Sequence, residues 1–177
     1  MNAGAADVVG FWRDAGPGKW FAQDAAFDAA FDRRFRDAHF AAARRGLDDW
    51  AASAEGALAL LLLLDQFPRN VFRDTGHAYA TDPLARHFAA AMLDAGLDGQ
   101  VGRDLRLFCY LPFQHSEAMA DQERAVASMQ ALGDAKWALH HRDIIRRFGR
   151  FPHRNAVLGR ESTPGELEFL AEGGFGG

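Results

Sequence analysis

The 177-residue chain is poor in cysteine, in lysine, in strand patterns and in long apolar runs. Its single cysteine, Cys109, cannot close an internal disulfide, so the chain must fold on an apolar core, and a reducing, cytoplasmic setting is expected. That thiol lies within Leu107-Phe108-Cys109-Tyr110-Leu111 and reads as a packed group, not a nucleophile. The longest apolar run, Ala57 to Leu64, ends at Asp65 and falls far short of the roughly 20 residues that a membrane span needs. The first residues carry Asp7 and no basic stretch ahead of an apolar one, so they do not read as a signal peptide. Paired-cysteine zinc patterns, EF-hand loops and His-Glu-x-x-His are missing, and neither a metal nor a cofactor is expected. Gly16-Pro17-Gly18-Lys19 looks like part of a phosphate loop, but Trp20 follows where Ser or Thr is required, which leaves a turn.

An excess of positive charge is also lacking. With 20 basic against 24 acidic residues the chain carries −4, which argues against nucleic acid and acidic membranes as partners. Locally the balance reverses: His140 to Arg160 holds six arginines and one acid, a net +5 that leaves −9 for the rest. Lys19 and Lys136 are the only lysines, and arginine brings a planar fork suited to carboxylates and phosphates.

What the chain has is apolar mass and helical periodicity. Hydrophobic residues make up 49%, with fifteen Phe and four Trp, enough for one domain over residues 1–172 ahead of a flexible Gly-rich tail, 173–177. Phe27, Phe31, Phe35, Ala38 and Ala42 recur at helical steps within Asp24 to Arg45, with Asp28, Asp32 and Arg36 on the other face and Gly46 as a left-handed end. Ser53 caps a second helix, Ala54 to Gln66, whose leucines Leu60 to Leu64 make it central and which Pro68 stops. Asp82-Pro83 opens a third, with Leu84, Phe88, Ala91, Met92 and Ala95 as its buried face. Further helices fit Arg103 to Tyr110, Glu117 to Leu132 and Asp134 to Phe148. Thr163-Pro164-Gly165-Glu166 has capping-box spacing for a last one through about Glu172. The expected fold is all-α: about eight helices packed as antiparallel hairpins.

Three polar blocks interrupt or follow these helices. In the first, Asp65, Gln66, Arg69, Asn70 and Arg73, the four-residue spacing of Asp65 and Arg69 suits a local ion pair, and Asn70 suits a cap on the next turn. In the second, His115 and Glu117 flank Ser116 at a helix start, where both can point into one small volume; His115 is the candidate general acid or base and Glu117 its partner, or both simply cap the helix. The third and densest holds His141, Arg147, Arg150, His153, Arg154 and Asn155, where aromatics alternate with hydrogen-bond donors around Gly149 and Pro152.

Leu64-Asp65-Gln66-Phe67-Pro68-Arg69-Asn70, Leu111-Pro112-Phe113-Gln114-His115-Ser116-Glu117, and Arg147 through Asn155 followed by Leu158-Gly159-Arg160-Glu161-Ser162-Thr163, resemble the uncharacterised bacterial family catalogued as domain of unknown function 924. The resemblance runs from about Val8 to Leu170 and includes Trp20-Phe21 and Trp137. It implies an all-helical fold similar to tetratricopeptide-repeat proteins and brings no activity, cofactor or catalytic assignment. Gly165 departs from the family pattern, where an acidic residue is usual. From the residues themselves, the leading expectation is a binding or scaffold module whose arginines and asparagines clamp an anionic small molecule or an acidic peptide. The alternatives are a cofactor-free enzyme using His115, and a buried polar network that carries no ligand. The sequence leaves oligomeric state open.

Overall fold

A computed structural model describes residues 3–175. Helices and turns make up the fold, and no strand occurs among the described residues. The chain divides into two compact units, the first taking Met1–Arg73 and His77–Pro112, the second Asp74–Gly76 and Phe113–Gly177.

The first unit opens with α1 (Ala5–Ala15), which buries Val8, Val9 and Trp12. Helical periodicity in the sequence announces nothing before Asp24, because α1 has a glycine at its cap, Gly10 inside it and an apolar stripe only three residues deep. The Asp7 carboxylate supplies the missing cap by accepting the Gly4 N–H at 2.9 Å. Helix α2 (Ala25–Ala43) starts where Asp24 accepts the Ala26 and Phe27 N–H groups, each at 3.0 Å. Phe27, Phe31, Phe35 and Ala42 form the expected buried stripe, and His39 is buried with them. At its end Arg45, not Gly46, takes the left-handed conformation (φ 69°), because the Gly46 N–H reaches back to the Ala41 carbonyl at 2.8 Å.

Ser53 caps α3 (Ala54–Leu61) through the Gly56 N–H at 3.1 Å. Gly56 is where the chain needs no side chain at all: a Cβ there would lie 2.1 Å from the Trp50 carbonyl oxygen. The leucines Leu60 to Leu64 are at most 1% exposed, as a central helix requires. Pro68, however, does not stop this helix. The turn Leu62–Gln66 widens to π geometry, with the Phe67 N–H donating to the Leu62 carbonyl five residues back, and α4 (Phe67–Val71) continues through the proline. Pro68 has no N–H to offer Leu63 or Leu64, so their carbonyls take donors from elsewhere: His39 Nδ1 at 2.8 Å and the Thr81 hydroxyl at 2.5 Å.

Helix α5 (Asp82–Asp94) buries Ala85, Phe88, Ala89 and Met92. The expected stripe is right at Phe88 and Met92, but Ala91 and Ala95 are exposed and Leu84 is half-buried, since the packed face lies a fraction of a turn over. The helix expected over Arg103 to Tyr110 is a short 3₁₀ turn, Arg106–Cys109. Cys109 is fully buried there, and burial first, then the nearby Asp98 charge, pushes its thiol up to about 12.

The second unit contains α6 (Met119–Leu132), α7 (Lys136–Phe148) and α8 (Pro164–Ala171). Helix α6 starts two residues beyond Glu117, because Ser116 Oγ accepts the Ala118 N–H at 3.1 Å and donates to Asp121 at 2.6 Å. Asp134 accepts the Lys136 N–H at 2.9 Å, and α7 ends at Gly149 with φ 72°. Thr163 and Glu166 form the expected capping box, with Thr163 N–H to Glu166 at 2.7 Å and Glu166 N–H to Thr163 Oγ1 at 3.3 Å. Ile144, Ile145 and Phe151 form the buried centre, with Phe148, Phe169 and Phe175 packed against it. Of the expected tail 173–177, Gly176 and Gly177 lie outside the described residues.

Candidate functional site

The first polar block is built into the first unit. At the π turn Asp65 is 1% exposed and accepts from Gln66 Nε2 at 2.6 Å. Arg69 lies beside it, with Nη1 3.1 Å from Asp65 Oδ1, and makes a two-pronged bond to Asp82 at 2.8 and 2.9 Å. Burial alone works against the guanidinium charge, but the Asp65 and Asp82 carboxylates outweigh it and raise the Arg69 pKa further. Asn70 does not cap a turn; its Nδ2 donates to Asp28 at 2.7 Å, and Arg73 Nε reaches the same carboxylate at 3.2 Å. Asp28, on what the sequence makes a solvent face of α2, is thereby the anchor of two block residues. His39, which the sequence reasoning missed, shares its Nε2 with His77 Nε2 at 3.0 Å while its Nδ1 faces the Leu63 carbonyl. His39 Nδ1 donates to the Leu63 carbonyl, and burial holds the ring's pKa down, which favours the neutral form with Nε2 as acceptor.

The second and third blocks meet in the second unit. Glu117 accepts from Arg160 at 2.7 and 3.0 Å and from the Phe151 N–H at 2.8 Å. Burial tends to raise the Glu117 pKa; Arg160 and the Phe151 N–H more than offset it. Arg160 also donates to Asn155 Oδ1 at 2.9 Å and to the Phe151 carbonyl at 3.1 Å, and Asn155 passes the chain on to Ser162 at 3.1 Å. Arg150 grips Glu166 at 2.7 and 2.8 Å and the Glu161 carbonyl at 2.7 Å. That fork, before any other cause, lowers the Glu166 pKa to about 2. Arg147 is exposed and lies over the rings of Phe148 and Phe169, at 4.6 and 5.6 Å. Arg160 and Glu166, which the sequence does not mark as site residues, complete this network. Arg160 stands in the Leu158-Gly159-Arg160 continuation of the third block, and Glu166 is the acid of the capping box, so each had a local signal for a different role.

Around His141 the arrangement changes. His141 is 5% exposed, its Nδ1 donates to the Trp137 carbonyl at 2.7 Å, and Nε2 keeps its lone pair. Burial first, and then His115, His140 and Arg154 close by, push its pKa down to about 3. The groups acting on this imidazole through charge are thus potential or permanent cations, and Arg154, itself buried, lies 4.3 Å over the Phe151 ring. The ring of Phe175 sits 4.5 Å from His141, 5.1 Å from His153 and 5.8 Å from His140. Among the described residues no group of three or more His, Cys, Asp or Glu is placed to hold a metal ion.

Residues 8–174 match the family model described as a bacterial protein of unknown function, DUF924. The chain is also similar to the solved structure of a protein of unknown function from Agrobacterium tumefaciens, with 60% identity, a TM-score of 0.92, and coverage of 95% of this chain and 97% of that one. No curated protein matches it.

Proposed function

The chain belongs to the bacterial family of unknown function DUF924, and from that premise we propose that it is a helical binding module for an anionic small molecule or acidic peptide, held in the second unit beside His141. One observation supports this reading above the others: His115, His140 and Arg154 converge on a buried, neutral imidazole. The permanent charge of Arg154 beside this uncharged ring contributes a field that favours an anion. Arg69 is paired with Asp65 and Asp82, Arg150 with Glu166 and Arg160 with Glu117. Those pairs build the frame, and Arg154, His141 and His115 are the residues proposed to meet the ligand. Glu117 serves the frame through Arg160 and the Phe151 N–H, which leaves binding rather than acid–base turnover as the better account. The cytoplasm is the compartment assumed, in keeping with one buried thiol; no helix among the described residues is long and apolar enough to cross a membrane.

The test is a thermal-shift titration with acetate, inorganic phosphate and pyrophosphate on the intact chain and on Arg154→Met. A ligand present at about a hundredfold its Kd adds about 2.7 kcal/mol to the folded state. A shift in the intact chain that Arg154→Met abolishes supports the site. Absence of any shift with all three anions, or an equal shift in Arg154→Met, removes it.

A further inference from the structure

His39 and His77, in the first unit, form a bond that depends on how many protons the two rings hold together. The Leu63 carbonyl, to which Pro68 offers no N–H, can only accept, so His39 Nδ1 carries a hydrogen. His39 Nε2 then faces His77 Nε2 at 3.0 Å, and a hydrogen bond across that gap needs one hydrogen and one lone pair. With both rings neutral, His77 donates and His39 accepts. A charge on His77 leaves that bond in place, and a charge on His39 alone turns it around, with His77 accepting. Charging both rings puts two N–H groups and two cations face to face, and the bond is lost.

What the bond holds is the one-turn helix His77–Ala80. Four residues are too few to keep a helix by their own hydrogen bonds, so contacts with the rest of the unit keep it. The His77 ring packs 4.1 Å from Phe72 and 5.6 Å from Phe40, and Tyr79 lies under the Arg69 guanidinium at 5.6 Å. From α2 comes one charge, Arg36, which lies 5.2 Å over the Phe72 ring and is held by Asp32 at 2.7 Å. The π turn presents the Leu63 carbonyl, α4 and its cap present Phe67 and Phe72, and Arg73 beyond them is turned to Asp28 at 3.2 Å. Among the described residues, the charged or titratable groups that act on His39 are His77 and Arg36, and both oppose a charge on it. His39 is fully buried and His77 half-buried, so solvent protons have their access at His77.

We propose that the His39–His77 pair is a proton-counting latch: it ties the helix His77–Ala80 to α2 while the two imidazoles together hold two or three ring protons, and releases it when they hold four. Release takes the His77 ring off Phe40 and Phe72 and opens that aromatic cluster to water. The latch is independent of the anion reading, which concerns the second unit.

Hydrogen exchange followed by NMR between about pH 8 and pH 4 tests this on the intact chain, His77→Gln and His77→Phe, because imidazoles titrate within that span. Protection across residues 78–81 is divided by that of the α3 amides, which report opening of the whole unit. A Gln amide donates to neutral His39 and, flipped, accepts from charged His39, so it keeps the bond at every proton count. In the intact chain the ratio is expected to fall toward acid by about tenfold, the worth of one hydrogen bond. It should stay level in His77→Gln and be low at every pH in His77→Phe. A ratio that never falls in the intact chain, an equal fall in His77→Gln, or intact-like protection in His77→Phe at pH 8 overturns the proposal. Long-range 1H–15N spectra of the imidazoles in the intact chain count the ring protons directly, and release with fewer than four overturns it as well.

Discussion

Two buried side chains carry predictions of their own. Arg69 separates the carboxylates of Asp65 and Asp82, which are 1% and 6% exposed. Its replacement in Arg69→Met removes the cation that these two buried acids share, and breaking a buried pair in this way costs about 3–5 kcal/mol. Urea denaturation of that variant is expected to show a loss in this range, and a loss below about 1 kcal/mol would mean that water reaches the pair. His141 sets a pH dependence. Its folded pKa of about 3 lies below the ordinary 6.5, so between these values the unfolded chain takes up a proton that the folded chain refuses. Stability is therefore complete above pH 6.5 and falls as the pH drops toward 3, by up to about 1.4 kcal/mol per unit. His39 acts in the same direction. Urea midpoints measured from pH 7 to pH 4 should decline, and His141→Gln should flatten the decline; an equal slope in both proteins would assign it to other groups. The Asp65–Arg69 contact was legible at four-residue spacing, whereas the partners Asp82 and Asp28 stand 13 and 42 residues from theirs, and pairing over such separations leaves no trace in local pattern.

At the scale of an element, the π turn explains why a proline sits within a continuous helix. A local reading sees that Pro68 withholds an N–H and ends the helix there. It cannot see that Thr81 and His39, 17 and 24 residues distant from the carbonyls they serve, supply donors in its place. Thr81→Val keeps the shape and removes the donor, leaving the Leu64 carbonyl buried and unsatisfied at a cost of about 1–3 kcal/mol. Thr81→Ser keeps the hydroxyl and is expected to retain most of the stability. Equal losses in the two variants, measured by urea denaturation, would show that the lost methyl and not the hydrogen bond matters. The same limit accounts for the helix ends. Ser53, Asp24 and the Thr163 box were legible because a cap is a relation among neighbours, while α1 was not, because its stripe is short and its N-terminal donor is met by Asp7 from within.

Across the whole molecule, composition and period were enough for an all-helical chain resting on phenylalanine and leucine, and they placed the leucine helix at a centre. They were not enough to separate framework arginines from ligand arginines, since Arg150, Arg154 and Arg160 look alike in sequence, and the carboxylates that Arg150 and Arg160 hold, Glu166 and Glu117, stand 16 and 43 residues away. The frame they build resists opening unevenly. Amides of α3 through Leu64, buried on every side, are expected to exchange hydrogen most slowly, and those around Phe175 among the fastest. Comparable protection at the two places would contradict that order. The buried cysteine offers a way to time this opening. Because the Cys109 thiol is enclosed and keeps its proton at neutral pH, a thiol reagent in solution can modify it only during excursions that expose the Leu105–Leu111 turn. The chain thus carries one chemical stopwatch, placed by its own sequence in the first unit: labelling that stays slow in buffer and accelerates with urea reads the rate at which that unit breathes, with no engineered probe.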